Sequence, residues 1–324
     1  VTSSRYSRFL WPTIALALLV STANSVQARV NGQASDYLSQ PVVAAMMSVG
    51  GGFVLAATVV AVTPGARRAL VGLIAGRGRP TLRPWHFLAG FGGGIFIFGQ
   101  ALVVPLVGVS VYIIAVVTGQ TIASLAVDRY GLGPAGRQPV TVFRWLAALL
   151  AIVGVVISGV GRGDVATVAW AAIAYGLAAG AATAVQYALN GRIAAQSGSA
   201  MVTSALNFFM GFILLSVLLV ATGLVGVWPM VLPPSPLDAP LLWLGGPLGL
   251  LFIASAAILV KRLGVLAFAV VSVLGQLVGA VVLDLVLPTQ GTVLGPVVFL
   301  GLVVTVIAVI AATVNKKPGS ATGG

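Results

Sequence analysis

Long runs of apolar residues, interrupted by short polar or turn-forming stretches, fill almost the whole chain. Crossing the ~30 Å hydrocarbon core of a bilayer takes ~20 mostly apolar helical residues. On that measure the pattern predicts spans over 9–30, 42–63, 85–106, 108–127, 142–160, 166–190, 201–223, 240–260, 264–287 and 293–314. Two joints are tight, Pro105–Gly108 and Lys261–Gly264, and each reads as a hairpin of adjacent antiparallel helices. Stretches such as Pro64–Pro84 and Pro229–Pro240 read as longer loops. The expected fold class is an all-α integral membrane protein with ten transmembrane helices.

Arg5, Arg8, the apolar Phe9–Val20 run and the small residues Ala23 and Ser25 also fit a cleavable signal peptide. A repeat within the chain favours a retained first helix instead. Val26-Gln27 followed by Asn31-Gly32 returns 159 residues later as Val185-Gln186 followed by Asn190-Gly191, and Gly52-Phe53 returns as Gly211-Phe212. Further on the offset becomes 156: Pro84, Gly90, Gly93 and Gly108 match Pro240, Gly246, Gly249 and Gly264. Gly119-Gln120 with Asp128 likewise matches Gly275-Gln276 with Asp284. The expected division is 1–162 for the first five-helix repeat, 163–316 for the second, and 317–324 for a cytoplasmic tail. An odd number of helices per copy sets the second copy upside down relative to the first.

Charge agrees with that inversion. Fifteen Lys and Arg fall in segments on one side and two, Arg29 and Arg162, on the other, which expects both termini in the cytoplasm. The loop after the second span carries five Arg in the first copy, whereas its counterpart at 224–239 carries none. Inverted repeats are a hallmark of secondary transporters, because exchanging the conformations of the halves opens the molecule to either side.

Composition narrows the class further. Hydrophobic residues make up 59% of 324 positions and charged ones 7%, against ~25% in soluble domains. The net charge of +12 is distributed between apolar runs, so it reads as a topology signal, not as a nucleic-acid surface. An excess of Arg over Lys and an abundance of Ala, Gly and Val suit a high-GC bacterial genome, hence a bacterial inner membrane. With no Cys, no Glu and His86 as the single histidine, a zinc protease lacks ligands and a Ser-His dyad would rest on one residue at a helix mouth. The expectation is therefore no enzyme, no metal and no cofactor. The expected partners are the lipid bilayer and a small-molecule substrate.

Pro84-Trp85-His86-Phe87-Leu88-Ala89-Gly90, Gly119-Gln120 through Asp128-Arg129-Tyr130-Gly131, and Arg144 through Gly154 resemble the YdcZ-type family of the drug/metabolite transporter superfamily. Many members resemble one five-helix copy; this chain resembles two fused copies. The resemblance implies an EamA-like ten-helix fold and export of a small molecule, and it leaves pairing into a homodimer open. The second half departs from the family pattern. Asp284 precedes Leu285-Val286-Leu287 instead of a basic-aromatic-Gly turn, and Leu300 stands at the place of Arg144. A passive channel, a lipid-linked carrier and a non-transporting assembly protein are the rival readings on the same fold.

Polar residues at membrane depth are the candidate site. Asn24, Gln27 and Asn31 share one face of the first helix, and Thr183, Gln186 and Asn190 repeat that stripe on the sixth. Each stripe either lines a cavity or joins helices by hydrogen bonds. Gln120 and Gln276 lie twelve residues past their hairpin glycines, roughly 18 Å along a helix and so near the midplane. Inverted symmetry is expected to bring them towards a shared axis, with Thr118 and Ser272 close by. Asp284 and Asp128 are the candidates for ion coupling, Asp128 reading also as a solvated carboxylate beside Arg129. Arg29 is placed to meet an anionic substrate or to reach headgroups, and His86 reads as an interfacial anchor beside Trp85. The spacings Gly90-Gly94, Gly176-Gly180 and Gly245-Gly249 allow close helix approach.

Overall fold

A computed structural model describes residues 3–76, 82–160, 166–229, 231–263 and 265–314. Arg77, Arg79, Arg162, Gly264, Lys316, Lys317 and the 317–324 tail lie outside the described residues. The described chain is helical throughout its ordered elements: α1 (Ser3–Leu38), α2 (Pro41–Val62), α3 (Pro64–Ile74), α4 (Ala89–Val107), α5 (Val109–Tyr130), α6 (Val142–Gly159), α7 (Ala166–Ser197), α8 (Ala200–Leu224), α9 (Gly245–Leu263), α10 (Val265–Val286) and α11 (Pro296–Val314).

Ten of these helices correspond to the expected apolar runs. Seven described segments are long and apolar enough to cross a membrane: α2, α4 with its entering turn, α5, α6, α7, α8 and α10. The described apolar stretches of α9 and α11 are shorter. α1 is long, but Asn24, Gln27, Asn31 and several serines dilute its hydropathy. α1 and α7, at 36 and 32 residues, overrun the predicted spans by several residues at their ends. At 1.5 Å per residue each is about 50 Å long, well beyond a ~30 Å core.

The stretch from Pro64 to Pro84 is not simply a loop. Its first part is the amphipathic helix α3, with Pro64 at the first helical position, where a missing N–H costs nothing. Ala66, Leu70 and Leu73 turn inward against Val60 and Val202, while Arg67 and Arg68 face out. Its eleven residues are too few to register as an apolar run.

Helix starts carry legible reasons. Gln40 caps α2, its Oε1 accepting from the Val42 and Val43 N–H groups at 2.8 and 3.3 Å. Ser199, its counterpart 159 residues on, caps α8 by accepting from Val202 N–H. Pro84 and Pro240 each begin a 3-10 turn that leads into α4 and α9. Arg29 and Arg192 act at helix ends. Arg29 donates to the carbonyls of Leu287 and Pro288 beyond α10, and Arg192 donates to those of Gly131 and Leu132 beyond α5. Cations belong where carbonyls are left unpaired. This corrects the expectation for Arg29, whose guanidinium is committed to the chain's own backbone.

The halves interlock. α1 packs along α10 and α9, and α7 packs along α5 and α4; α2 packs on α8, and α6 on α11. Exchanging each helix for its repeat counterpart turns the first pair of contacts into the second and returns the last two unchanged. α5 is buried through Val109–Gly119, with Tyr112, Ile113 and Ile114 at the centre of the largest core cluster. Close approach is repeated too: a Cβ at Gly119 would strike the Leu177 carbonyl, and one at Gly275 the Leu18 carbonyl. The rim is apolar and open. Phe143, Trp145, Leu149 and Val153 on α6 and Leu300, Val303 and Ile307 on α11 are exposed, a surface that only a bilayer covers without penalty.

Candidate functional site

Two polar clusters face each other where the halves meet. On α1, Asn24, Gln27 and Asn31 are all buried. Gln27 Nε2 donates to the Gly245 carbonyl at 2.8 Å, and Asn31 Nδ2 donates to Gln100 Oε1 on α4 at 2.7 Å. On α7, Thr183 and Gln186 are buried and Asn190 half-buried. Gln186 Nε2 and Asn190 Nδ2 both donate to Asn207 Oδ1 on α8, at 3.0 and 3.1 Å. The stripes thus face protein, as their cost in lipid requires.

Between them lies a cavity of about 70 Å³, walled by Asn24, Gln27, Thr183, Gln186 and Asn207, with Phe96, Tyr187, Phe208 and Phe252 around them. Two glycines make the space. A Cβ at Gly93 would sit 2.8 Å from Gln186 Nε2, and one at its counterpart Gly249 would sit 2.7 Å from Gln27 Nε2. Gln27 and Gln186 therefore each pack on the third helix of the other half. A volume of this size holds roughly two waters and is far below the ~300 Å³ or more of a ligand pocket. Four buried polar atoms of the stripes and their neighbours, none of them lining the cavity, lack a hydrogen-bond partner among the described residues: Asn31 Oδ1, Gln100 Nε2, Ser48 Oγ and Asn190 Oδ1. Buried amides rarely stay unpaired, so these atoms mark polar capacity left unused beside the cavity.

Gln120 and Gln276 do not line this cavity. Gln120 Nε2 donates to Thr183 Oγ1 at 2.9 Å and so supports one wall from behind. Gln276 Nε2 turns back to Ser272 Oγ and O at 3.3 Å, while its own carbonyl accepts from Ser25 Oγ at 2.6 Å. Thr118 donates to the Ala151 carbonyl and fastens α5 to α6. Sequence reasoning missed Gln100 and Asn207, which complete the two clusters. Each is the one amide in an otherwise apolar span, and that isolation was the available signal. The repeat hid them: their counterparts are Ala256 and Ser48.

The two aspartates have diverged. Asp284 is buried, and its carboxylate accepts from the Val109 and Ser110 N–H groups at 2.9 and 2.7 Å. It caps the N-terminus of α5 from α10, in the other half of the chain, where a negative charge is favoured. Gly108 makes room: its φ of 86° suits glycine, and a Cβ there would crowd Asp284 and Thr292 at 3.0 Å. Asp128 instead forms an ion pair with Arg144, both partly exposed. It is thus paired rather than freely solvated beside Arg129. With Leu300 at the place of Arg144 in the second copy, Asp284 takes the α5 amides as its hydrogen-bond partners, and Arg29 is a cation close enough to interact with its charge. His86 is also more than an anchor: its ring is buried, and Nδ1 accepts from the Arg83 N–H at 2.7 Å, closing the turn into α4.

A family model described as "Putative inner membrane exporter, YdcZ", of the drug/metabolite transporter type, matches residues 12–157 and again residues 171–311. No curated protein matches the chain significantly.

Proposed function

The chain belongs to the YdcZ family of inner-membrane exporters, in two successive copies, and on that premise we propose that it moves a small molecule by alternating access at the polar seam. In this reading ten helices span the membrane as two inverted five-helix repeats, split near residue 162, with both termini cytoplasmic. The substrate is a small metabolite or drug-like molecule, and its direction is outward.

One observation carries the mechanism: the facing pairs Gln27–Gly249 and Gln186–Gly93, which set equivalent amides from the two halves on either side of one small cavity. The exchange-related helix contacts and the reversed loop charges support the inversion. With about 70 Å³ at the centre, the seam is narrow in this conformation. Asn24, Gln27, Thr183 and Gln186 are the direct cavity residues. Gln120 holds Thr183 and Asn190 holds Asn207, whereas Asn31 bonds Gln100 and Gln276 bonds Ser272 within its own helix; Asp284 and Asp128 anchor helix ends rather than couple an ion.

Because the chain has no cysteine, a single Thr183→Cys variant reports on the seam alone. Labelling by a membrane-impermeant maleimide is expected from either side of the membrane in turn, and a crosslink that holds one half closed is expected to abolish one side only. Labelling from neither side, or from both sides in one locked state, would refute a carrier.

A further inference from the structure

Outside the polar seam, the α2–α8 pair carries a groove at each end. The outer groove lies beneath the 231–236 segment and has a volume of about 850 Å³, and no charged residue among those described lines it. The inner groove, about 350 Å³, is roofed by Arg67 and Leu70 of α3. The two are one feature seen from opposite ends of the repeat. At the offset of 159, Val43, Met47, Phe212 and Leu219 of the outer groove match Val202, Leu206, Phe53 and Val60 of the inner.

Their difference in size has a cause in the sequence. Gly50 in the outer groove is the counterpart of Phe209 in the inner, and Phe209 fills space there against Phe53, ring centroids 5.3 Å apart. A thin wall separates the outer groove from the seam. Phe208 lines the seam cavity and lies so close over Gly52 that a Cβ there would collide with its ring, while Phe212, one turn on, lines the groove.

We propose that the two α2–α8 grooves are lateral portals by which an uncharged, lipophilic small molecule passes between the bilayer and the polar seam, with the outer portal open in this structure. The proposal rests on the transport reading and adds the substrate class and its route. The apolar lining of the outer groove offers nothing to an ion, whose burial without a partner is costly, and in the inner groove the cation Arg67 lies exposed at the roof. Apolar walls suit a solute already partitioned into the leaflet. A phospholipid would need a partner for its headgroup at the mouth, and among the described residues no charged one lines the outer groove. Beyond the aromatic wall, the seam amides offer donors and acceptors to one neutral polar group. Exchange of the conformations of the halves would close the outer portal and widen its inner counterpart.

The test uses the full chain in phosphatidylcholine nanodiscs with the uncharged, membrane-partitioning dye Nile red. Gly51 lines the outer groove and a Cβ there meets nothing within 4 Å, so Gly51→Phe starts a bulky side chain from open space. Saturable dye binding is expected, about tenfold weaker or more in Gly51→Phe. It is expected to be unchanged in Val303→Phe, at an exposed position on α11. Should Gly51→Phe fail to fold, Leu232→Arg sets a charge on the exposed rim and is expected to weaken binding likewise. Absence of saturable binding, or binding insensitive to these variants, overturns the proposal. So does quenching of Trp243 by chain-brominated phosphatidylcholine that Nile red does not relieve, because lipid then holds the groove. If Thr183→Cys still alternates in accessibility while dye binding is absent, only the portals fail. If the dye binds and Thr183→Cys is reached from neither side, the transport reading itself fails.

Discussion

Asp284→Asn separates an anchoring carboxylate from a coupling one. In the native chain both oxygens are used, Oδ1 on Val109 N–H and Oδ2 on Ser110 N–H, in a buried site at the start of α5. Asparagine keeps one acceptor and turns an NH₂ group against the second amide. The loss is one charge-assisted hydrogen bond, ~1.5–3 kcal/mol, plus the charge–dipole interaction, ~0.3–1 kcal/mol. A destabilisation of about 2–4 kcal/mol follows. At roughly 2–4 °C per kcal/mol for a chain of this order, the unfolding midpoint of the detergent-solubilised protein should fall by roughly 5–15 °C. Asp128→Asn provides the contrast. Its ion pair with Arg144 is partly exposed, at 26% for Asp128 and 17% for Arg144, and such pairs contribute ~0–1 kcal/mol. Size-exclusion chromatography after a heating series measures both midpoints. An Asp284→Asn protein as heat-stable as its parent but inactive in transport would refute the cap and restore the carboxylate as a coupling group.

Gly93→Ala and Gly249→Ala each push a methyl onto a seam amide; both should cut transport by about tenfold or more, and a loss confined to one of them would contradict equivalent halves. Gln120→Leu removes the bond that braces Thr183 and should cut transport by about tenfold or more, whereas Gln276→Leu keeps the backbone carbonyl that Ser25 uses and should transport near the parent level; full transport in Gln120→Leu would remove it from the site. Arg192→Met deletes two bonds to the carbonyls ending α5, at 2.6 and 2.7 Å, and should destabilise by about 1–3 kcal/mol, read as a lower unfolding midpoint. Single cysteines at Ile74 and Leu232, both strongly exposed, should react with an impermeant reagent from opposite faces; reaction from the same face would overturn the inverted topology.

Much of this molecule was written in its sequence because membrane helices satisfy their own backbone. Apolar run length therefore marks the helices directly, and the recurrence of Gln27 and Asn31 as Gln186 and Asn190 pointed to the duplicated family fold and to the stripes. Tertiary structure decided which polar groups meet. Spacing along a helix says that Gln120 lies near mid-depth, but rotation about the helix axis sends it to Thr183 instead of the cavity. Gln100 and Asn207 joined the site only through packing, since their counterparts are not amides. The fate of Asp284 likewise depended on α10 lying beside the start of α5, a contact between residues 174 positions apart in the chain. Periodicity and repeats act within one helix or one copy; the seam, the cap and the paired grooves arise between copies, where only three-dimensional packing brings the groups together.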